Sequence, residues 1–170
     1  MPTATLTPKS EPNRIASQMF AQVLRTFKEC SDEIQKIKIS LLIKRAVIEI
    51  DQFDKGIRRS LNYGHTIGHA LESMSGFKIP HGIAIVKGML VENKLFSYSD
   101  PRFERLALGI TNDPGMRVDT GVLKKVLLSD KKIAKNTLQM PVPNGPGNFE
   151  SKYIDVTDEV CDRIKAMLAE

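Results

Sequence analysis

The sequence has no tryptophan, and its aromatic residues are only seven phenylalanines and three tyrosines. So few aromatic rings argue against a surface on which nucleic-acid bases stack. The two cysteines, Cys30 and Cys161, are too far apart for a CxxC pair or a metal-binding spacing. Because the first residues lack the apolar stretch of a signal peptide, reduced thiols in a cytoplasm are the simplest interpretation. No apolar run approaches the roughly 20 residues of a membrane-spanning helix, so we expect no membrane contact.

The remaining composition is that of an ordinary globular protein, with 41% hydrophobic and 26% charged residues. It excludes a collagen-like chain, a disulfide scaffold and a wholly disordered protein. The 25 basic and 20 acidic residues are interspersed and give a net charge of +5. Such a modest excess suits a small anionic substrate at least as well as a nucleic acid, and we expect no nucleic-acid partner. Residues 1–12, rich in proline, serine and threonine, predict a disordered arm before a single domain at 13–170.

Apolar residues recur at helical spacing along most of the chain. The helices predicted from this periodicity and from capping residues cover about 13–30, 31–50, 58–75, 81–95, a short stretch after Pro101, 120–128 and a last stretch after Thr157. Residues 137–142 resemble a strand in composition, but Pro141 and Pro143 favour unpaired extended chain. The predicted fold class is therefore all-α, with about seven helices.

All three histidines lie between positions 65 and 81. On a helix, His65 and His69 leave the same face one turn apart, and Glu72 shares that face. His81 follows Pro80 at the start of the next predicted helix, and an antiparallel helical hairpin would bring it beside His65. Neutral imidazole is a good zinc ligand, so these residues form a candidate metal site. The alternative is a polar helical stripe with a capping histidine.

Two further features surround the histidines. Gly64 and Gly68 flank His65 inside the predicted helix at 58–75, where each is unfavourable relative to alanine. Their small size serves either close helix packing or the close approach of a ligand. Arg58 and Asn62 precede His65 by about two turns and one turn, so helical spacing predicts one polar ridge, which would suit an anion.

Residues 58–72 read RRSLNYGHTIGHALE, and this segment closely resembles the signature of the dehydroquinate synthase family of sugar-phosphate cyclases. The flanking segments DQFDKGIR at 51–58 and PHG at 80–82 agree with that signature. The resemblance extends over about 36–95, and SDKK at 129–132 is similar to a later motif of the family. It implies an all-helical C-terminal domain that carries most of the metal and substrate groups.

The resemblance also implies site residues. The zinc ligands it implies are His65 and His81. The groups it implies around the substrate are His69 for proton transfer, Lys44 and Arg58 at a carboxylate, Asn62 with Lys131 or Lys132 at a phosphate, and Asp54 and Glu72 as supporting residues. Two departures stand out: Ile83 replaces an acidic residue of the family, and no glutamate lies at the spacing of the family's first zinc ligand.

Family members also carry an N-terminal NAD-binding domain, which this chain does not resemble: it has no GxGxxG after a predicted strand. NAD would then reach the site only through a missing domain or a partner chain. We therefore expect the C-terminal half of a 3-dehydroquinate synthase-like lyase of the shikimate pathway, acting on a phosphorylated sugar acid. It would work with an NAD-binding partner or as a homo-oligomer. The alternative is a non-catalytic helical module that binds a partner subunit, a metal or an anion.

Overall fold

The computed structural model describes residues 29–111, 117–129, 136–144 and 148–169. In chain order the elements are α1 Glu33–Ile50, a 3-10 helix Ile57–Asn62, α2 His65–Met74, α3 His81–Leu95, α4 Pro101–Ile110, α5 Thr120–Leu128, β1 Thr137–Pro143, β2 Phe149–Asp155 and α6 Asp158–Ala169. The predicted all-α class is confirmed, since helices dominate these residues. The arm at 1–12 and nearly all of the helix at 13–30 lie outside them. Among the helices described, none is long and apolar enough to cross a membrane.

Four of the six α-helices described begin at capping side chains that the sequence offers, whereas α2 and α3 begin without one. The Asp100 side chain accepts hydrogen bonds from two backbone N–H groups in the first turn of α4. Asp119 does the same for the N–H of Val122 at the start of α5, and Thr157 for that of Val160 in α6. Because these N–H groups have no partner within the helix, such side chains determine where a helix starts.

The chain divides into two compact units. The first unit comprises Met1–Arg58 and Gly145–Asn148, and its described part is mainly α1. The Asp32 side chain caps α1 by accepting from the N–H of Ile34, and no residue of α1 is buried. The second unit comprises Arg59–Asn144 and Phe149–Glu170 and holds α2 to α6 and both strands.

The second unit has one hydrophobic core, to which α2, α3, α5, α6 and β1 all contribute. Its fully buried side chains include Ile67, Leu71, Val91, Leu123, Leu127, Leu138, Met140, Cys161 and Ile164. Cys161 is a free thiol in this core, and burial raises its pKa. The thiol therefore acts as a small hydrophobic group.

The unpaired chain expected at residues 137–142 is wrong, because β1 pairs with β2 in an antiparallel hairpin. Leu138, Met140 and Val142 alternate along β1 and are buried. Pro141 and Pro143 are two residues apart, so their nitrogens face the same edge of the strand. The sheet has two strands, and a proline is tolerated where its nitrogen faces an unpaired edge. Burial of the alternating residues outweighed the local signal of the prolines.

The continuous helix expected at 58–75 is also wrong. The 3-10 helix ends at Asn62, and Gly64 has a left-handed backbone with φ 76° before α2 begins. A side chain on Gly64 would overlap the backbone of α3 at Ile85 and Met89. Helical spacing from Arg58 to His65 therefore does not apply, and the predicted polar ridge is not formed by one helix.

Close packing of α2 against α3 explains the glycines of this region. A Cβ on Gly68 would lie 2.7 Å from Ile85 Cδ1 and 3.1 Å from the Ala84 oxygen. A Cβ on Gly88 would overlap the Gly64 carbonyl oxygen and lie 2.8 Å from the Gly68 nitrogen. The two backbones therefore touch, and the packing interpretation accounts for both glycines that the sequence singled out.

This contact predicts that Gly88→Ala destabilises the fold, by roughly 1–3 kcal/mol as for other overpacked cores. The added methyl group would meet backbone atoms, which cannot move aside as a flexible side chain can. Urea unfolding followed by circular dichroism measures the change.

Gly109→Ala is the matched control, because Gly109 lies in α4 and a methyl group added there would enter open space. It should stabilise the protein by about 0.5–1 kcal/mol through helix propensity. Equal stability of the two variants would contradict the proposed backbone contact.

Candidate metal and anion site

Two helix starts and a short turn position the three histidines. His65 is the first residue of α2, and His69 follows one turn later. A C-terminal cap ends α2, in which Gly76 has φ 61° and the N–H of Phe77 donates to the carbonyl of Glu72 at 2.8 Å. The chain then enters α3 at His81. Because residues 75–80 form so short a connection, α3 returns alongside α2.

The structure brings the three histidines together, as the helical-hairpin argument predicts. The ring centroids are 5.4 Å apart for His65 and His69, and 5.6 Å apart for His65 and His81. Those of His69 and His81 are 6.0 Å apart. His65 is half-buried, whereas His69 and His81 are exposed. The rings therefore form a cluster that opens to solvent.

Hydrogen bonds orient two of the imidazole rings. Nδ1 of His65 lies 3.1 Å from the carbonyl oxygen of Tyr63, which can only accept a proton. Nδ1 of His81 lies 2.9 Å from Oε1 of Glu72. Each acceptor favours the tautomer that carries its proton on Nδ1 and leaves a lone pair on Nε2. Histidines that bind metals are usually held in this way by a carbonyl or a carboxylate.

One set of donor atoms is also close enough to share an ion. Ligand atoms of His69, Glu72 and His81 lie within 4.8 Å of one another, the one such set found among the described residues. His65 is not a member of that set. The cluster thus offers a choice of donors to a divalent cation, and two imidazoles with a carboxylate suit zinc and similar metals.

The other predicted residues lie elsewhere in the chain. Lys44 is exposed on α1, and Asp54 and Arg58 follow in the first unit. Asn62 is half-buried at the end of the 3-10 helix. Lys131 and Lys132 lie outside the described residues. The roles of all these residues stay predictions.

Asp51 organises the loop that carries Arg58, a role that sequence reasoning missed. Its carboxylate accepts from the backbone N–H of Lys55, Gly56 and Arg58 at 3.0, 2.7 and 3.1 Å. These hydrogen bonds, led by that from Lys55, lower the pKa of Asp51. One guanidinium nitrogen of Arg58 donates to the Gln52 carbonyl at 2.9 Å. The sequence feature that could have indicated this role is an acidic residue, Asp51, that directly follows a helix and precedes a glycine in the loop.

Two buried polar side chains, Glu92 and Asn93, and the half-buried Tyr63 that bonds to one of them were also missed. Glu92 and Asn93 on α3 are 0% and 2% exposed. Oε2 of Glu92 accepts from the N–H of Gly64 at 2.9 Å, and Oδ1 of Asn93 accepts from the hydroxyl of Tyr63. Burial raises the pKa of the Tyr63 phenol well above its usual value. The sequence feature that could have indicated the burial of Glu92 is its position one turn after Gly88, on the side of α3 that faces the core.

Comparison with known proteins identifies the family to which this chain belongs. The family model described as 3-dehydroquinate synthase C-terminal matches residues 12–133. The chain belongs to that family. Similar proteins include the 3-dehydroquinate synthase of Sulfolobus acidocaldarius, 34% identical over 133 residues that make up 71% of this chain and 38% of that protein. That of Prochlorococcus marinus is 29% identical over 166 residues, or 92% of this chain and 44% of that protein.

The resemblance found in residues 58–72 is therefore confirmed, and the matched region contains every candidate site residue predicted from the sequence. The chain spans about two fifths of the length of the curated relatives it matches. The activity, substrates and partners of those whole enzymes are consequently matters for proposal.

The pKa of Asp51 predicts an acid-dependent loosening of the loop at 51–58. Its folded-state pKa lies below the unfolded value of 3.8, so its stabilising contribution is complete above that value and is lost as the pH falls through the folded pKa. The Lys55 and Gly56 amide shifts, followed by NMR from about pH 6 to about pH 2, should give a midpoint below 3.8. Asp51→Asn should abolish this transition, and a midpoint at or above 3.8 would contradict the hydrogen bonding described.

Proposed function

We propose that this chain contributes the metal- and substrate-binding half of a 3-dehydroquinate synthase-like sugar-phosphate cyclase. One observation carries the proposal: the Nδ1 atoms of His65 and His81 both have hydrogen-bond acceptors, while their rings lie 5.6 Å apart. Two neighbouring imidazoles whose tautomers are set in this way are suited to binding the same divalent ion. Membership of the family supports the same conclusion.

In this proposal Nε2 of His65 and Nε2 of His81 are the protein's ligands to a divalent metal, and zinc fits these donors best. When bound, such an ion would supply Lewis-acid polarisation of substrate hydroxyl groups. Glu72 holds the His81 ring through Nδ1. Since two protein ligands are fewer than zinc sites ordinarily have, we expect weak and readily chelated binding in the isolated chain.

His69 is proposed as the group that moves protons at the substrate. It lies on the same face of α2 as His65, one turn further along, and it is exposed. An exposed imidazole beside bound substrate can accept and return a proton near neutral pH. The metal ligands cannot do so, because coordination occupies their lone pairs.

Cationic and amide groups are proposed to bind the anionic ends of a phosphorylated sugar acid. Lys44 and Arg58 would bind the carboxylate, and Asn62 with Lys131 or Lys132 the phosphate. Asp54 would support the loop that precedes Arg58. The Asp51 hydrogen bonds keep the backbone at Arg58 in place, which limits the freedom of its guanidinium group.

NAD would supply the transient oxidation that makes a neighbouring substrate proton acidic. We infer that residues outside this helical half bind it, in a further domain or a partner chain, because the relatives extend far beyond the matched region. The part of the mechanism assigned to this chain is to orient the substrate, hold the metal and move protons.

A non-catalytic module that docks on a partner subunit is the second candidate. Two exposed apolar side chains one turn apart on α4, Leu106 at 64% and Ile110 at 45%, favour it. Exposed apolar groups that cluster on one helix often mark interaction sites. This candidate does not explain the oriented histidines, which is why the metal-dependent function is preferred.

The metal assignment predicts that His65→Ala and His81→Ala each abolish binding of Co²⁺ or Zn²⁺. The fold should persist, because a weakly bound ion stabilises it little. Cobalt absorption spectra and competition with a chelator measure the binding, and far-ultraviolet circular dichroism measures the fold. His69→Ala is the matched control and should still bind metal.

The opposite pattern would reject the assignment of His65. If His69→Ala loses the ion and His65→Ala keeps it, the ligands are those of the set formed by His69, Glu72 and His81. If no variant or wild-type sample binds metal, the metal-dependent function is wrong.

The catalytic assignment predicts phosphate release from a heptulosonate phosphate only when NAD and an NAD-binding half of a relative are added. His69→Ala should slow that release by roughly 10²- to 10⁴-fold, as for other general acid–base groups, without loss of metal. Lys94→Ala, an exposed site on α3, serves as a control. Turnover by the chain with NAD alone would refute the need for a second NAD-binding component.

A further inference from the structure

One peptide group joins the buried polar residues to the histidine cluster. The N–H of Gly64 donates to Oε2 of Glu92 at 2.9 Å. The carbonyl of Tyr63, in the same peptide group, lies 3.1 Å from Nδ1 of His65. A peptide group is planar and rigid, and its N–H and C=O point in opposite directions. A bond that fixes the N–H therefore also fixes the direction of the carbonyl.

The surroundings leave this peptide group little freedom. Gly64 is buried, with a backbone close to Ile85 and Met89 of α3. Glu92 is fully buried on the same helix. The Tyr63 hydroxyl donates to Asn93, so the side chain that precedes the peptide is also attached to α3. Helix α3 thus holds the start of α2 through backbone contact and two side-chain hydrogen bonds.

We propose that Glu92 is a positioning residue for the metal site. It holds the Tyr63–Gly64 peptide so that the Tyr63 carbonyl accepts the Nδ1 proton of His65, which places the ring's lone pair on Nε2, the atom proposed to bind the ion. This inference rests on the proposed role of His65 as a ligand. Glu92 itself contacts neither metal nor substrate.

The chemistry of the acceptor supports this role. Oε2 of Glu92 gives the buried N–H of Gly64 an acceptor that it would otherwise lack. A polarised peptide in turn has a more strongly accepting carbonyl, since linked hydrogen bonds reinforce one another. An apolar residue at position 92 would be less costly to bury than a carboxyl group. A role at the peptide gives a physical reason for a glutamate in this core.

The experiment determines the His65 tautomer directly. Imidazole nitrogen shifts are recorded by NMR for the metal-free full chain at a pH where the rings are neutral. Free histidine favours the tautomer with its proton on Nε2, whereas wild-type His65 should carry it on Nδ1. Glu92→Leu should shift His65 toward the Nε2–H tautomer and weaken Zn²⁺ binding by about tenfold, the lower end for groups that orient a ligand. Glu92→Gln keeps an oxygen acceptor and should retain the wild-type tautomer.

Tyr63→Phe is the matched control, because it removes the bond to Asn93 but leaves the Tyr63–Gly64 peptide intact. It should lower stability without changing the tautomer. An equal shift in Tyr63→Phe, or an unchanged tautomer in folded Glu92→Leu, would overturn the inference. An Nε2–H tautomer in the wild-type chain would overturn it even if Glu92→Leu does not fold. A shift confined to Glu92→Leu in a chain that binds no zinc would support the positioning role and reject the proposed metal function.

Discussion

The backbones of α2 and α3 touch where Gly88 lies against the Gly64 carbonyl and the Gly68 nitrogen. This contact determines how closely the two helices approach. With the short connection at 75–80, it returns His81 to the face of α2 that carries His65 and His69. A side chain at Gly64 or Gly88 would separate the helices by displacing backbone, and the His81 ring would move away from the rings of His65 and His69.

The same contact buries backbone N–H groups at the start of α2, and these need hydrogen-bond acceptors. A helix start has N–H groups without partners inside the helix, and burial makes an unsatisfied one costly. The start of α2 packs beneath α3. The residue that precedes α2 is Gly64, which has no side chain to cap the helix. Glu92 supplies the acceptor from the neighbouring helix instead. The N–H of Gly64 thus has its acceptor on the same helix whose packing buries it.

The histidine cluster shows how orientation differs from proximity. His65 and His81 each have an acceptor at Nδ1, one a backbone carbonyl and the other the Glu72 carboxylate. These partners give the two rings the same tautomeric preference although they begin different helices.

Local signals in the sequence were enough for the helical class, for most helix starts and for the grouping of the histidines. Asp100, Asp119 and Thr157 act within a few residues of themselves, and helical spacing places His65, His69 and Glu72 on one face without any distant contact. Tertiary structure decided what depends on residues far apart: the pairing of β1 with β2, the break at Gly64, and the burial of Glu92 beneath α2. The prolines of β1 argued locally against a strand, but side-chain burial in the core outweighed them. Gly64 fits helical spacing in the sequence, but in the structure both its left-handed φ of 76° and the backbone of α3 against it exclude a side chain there.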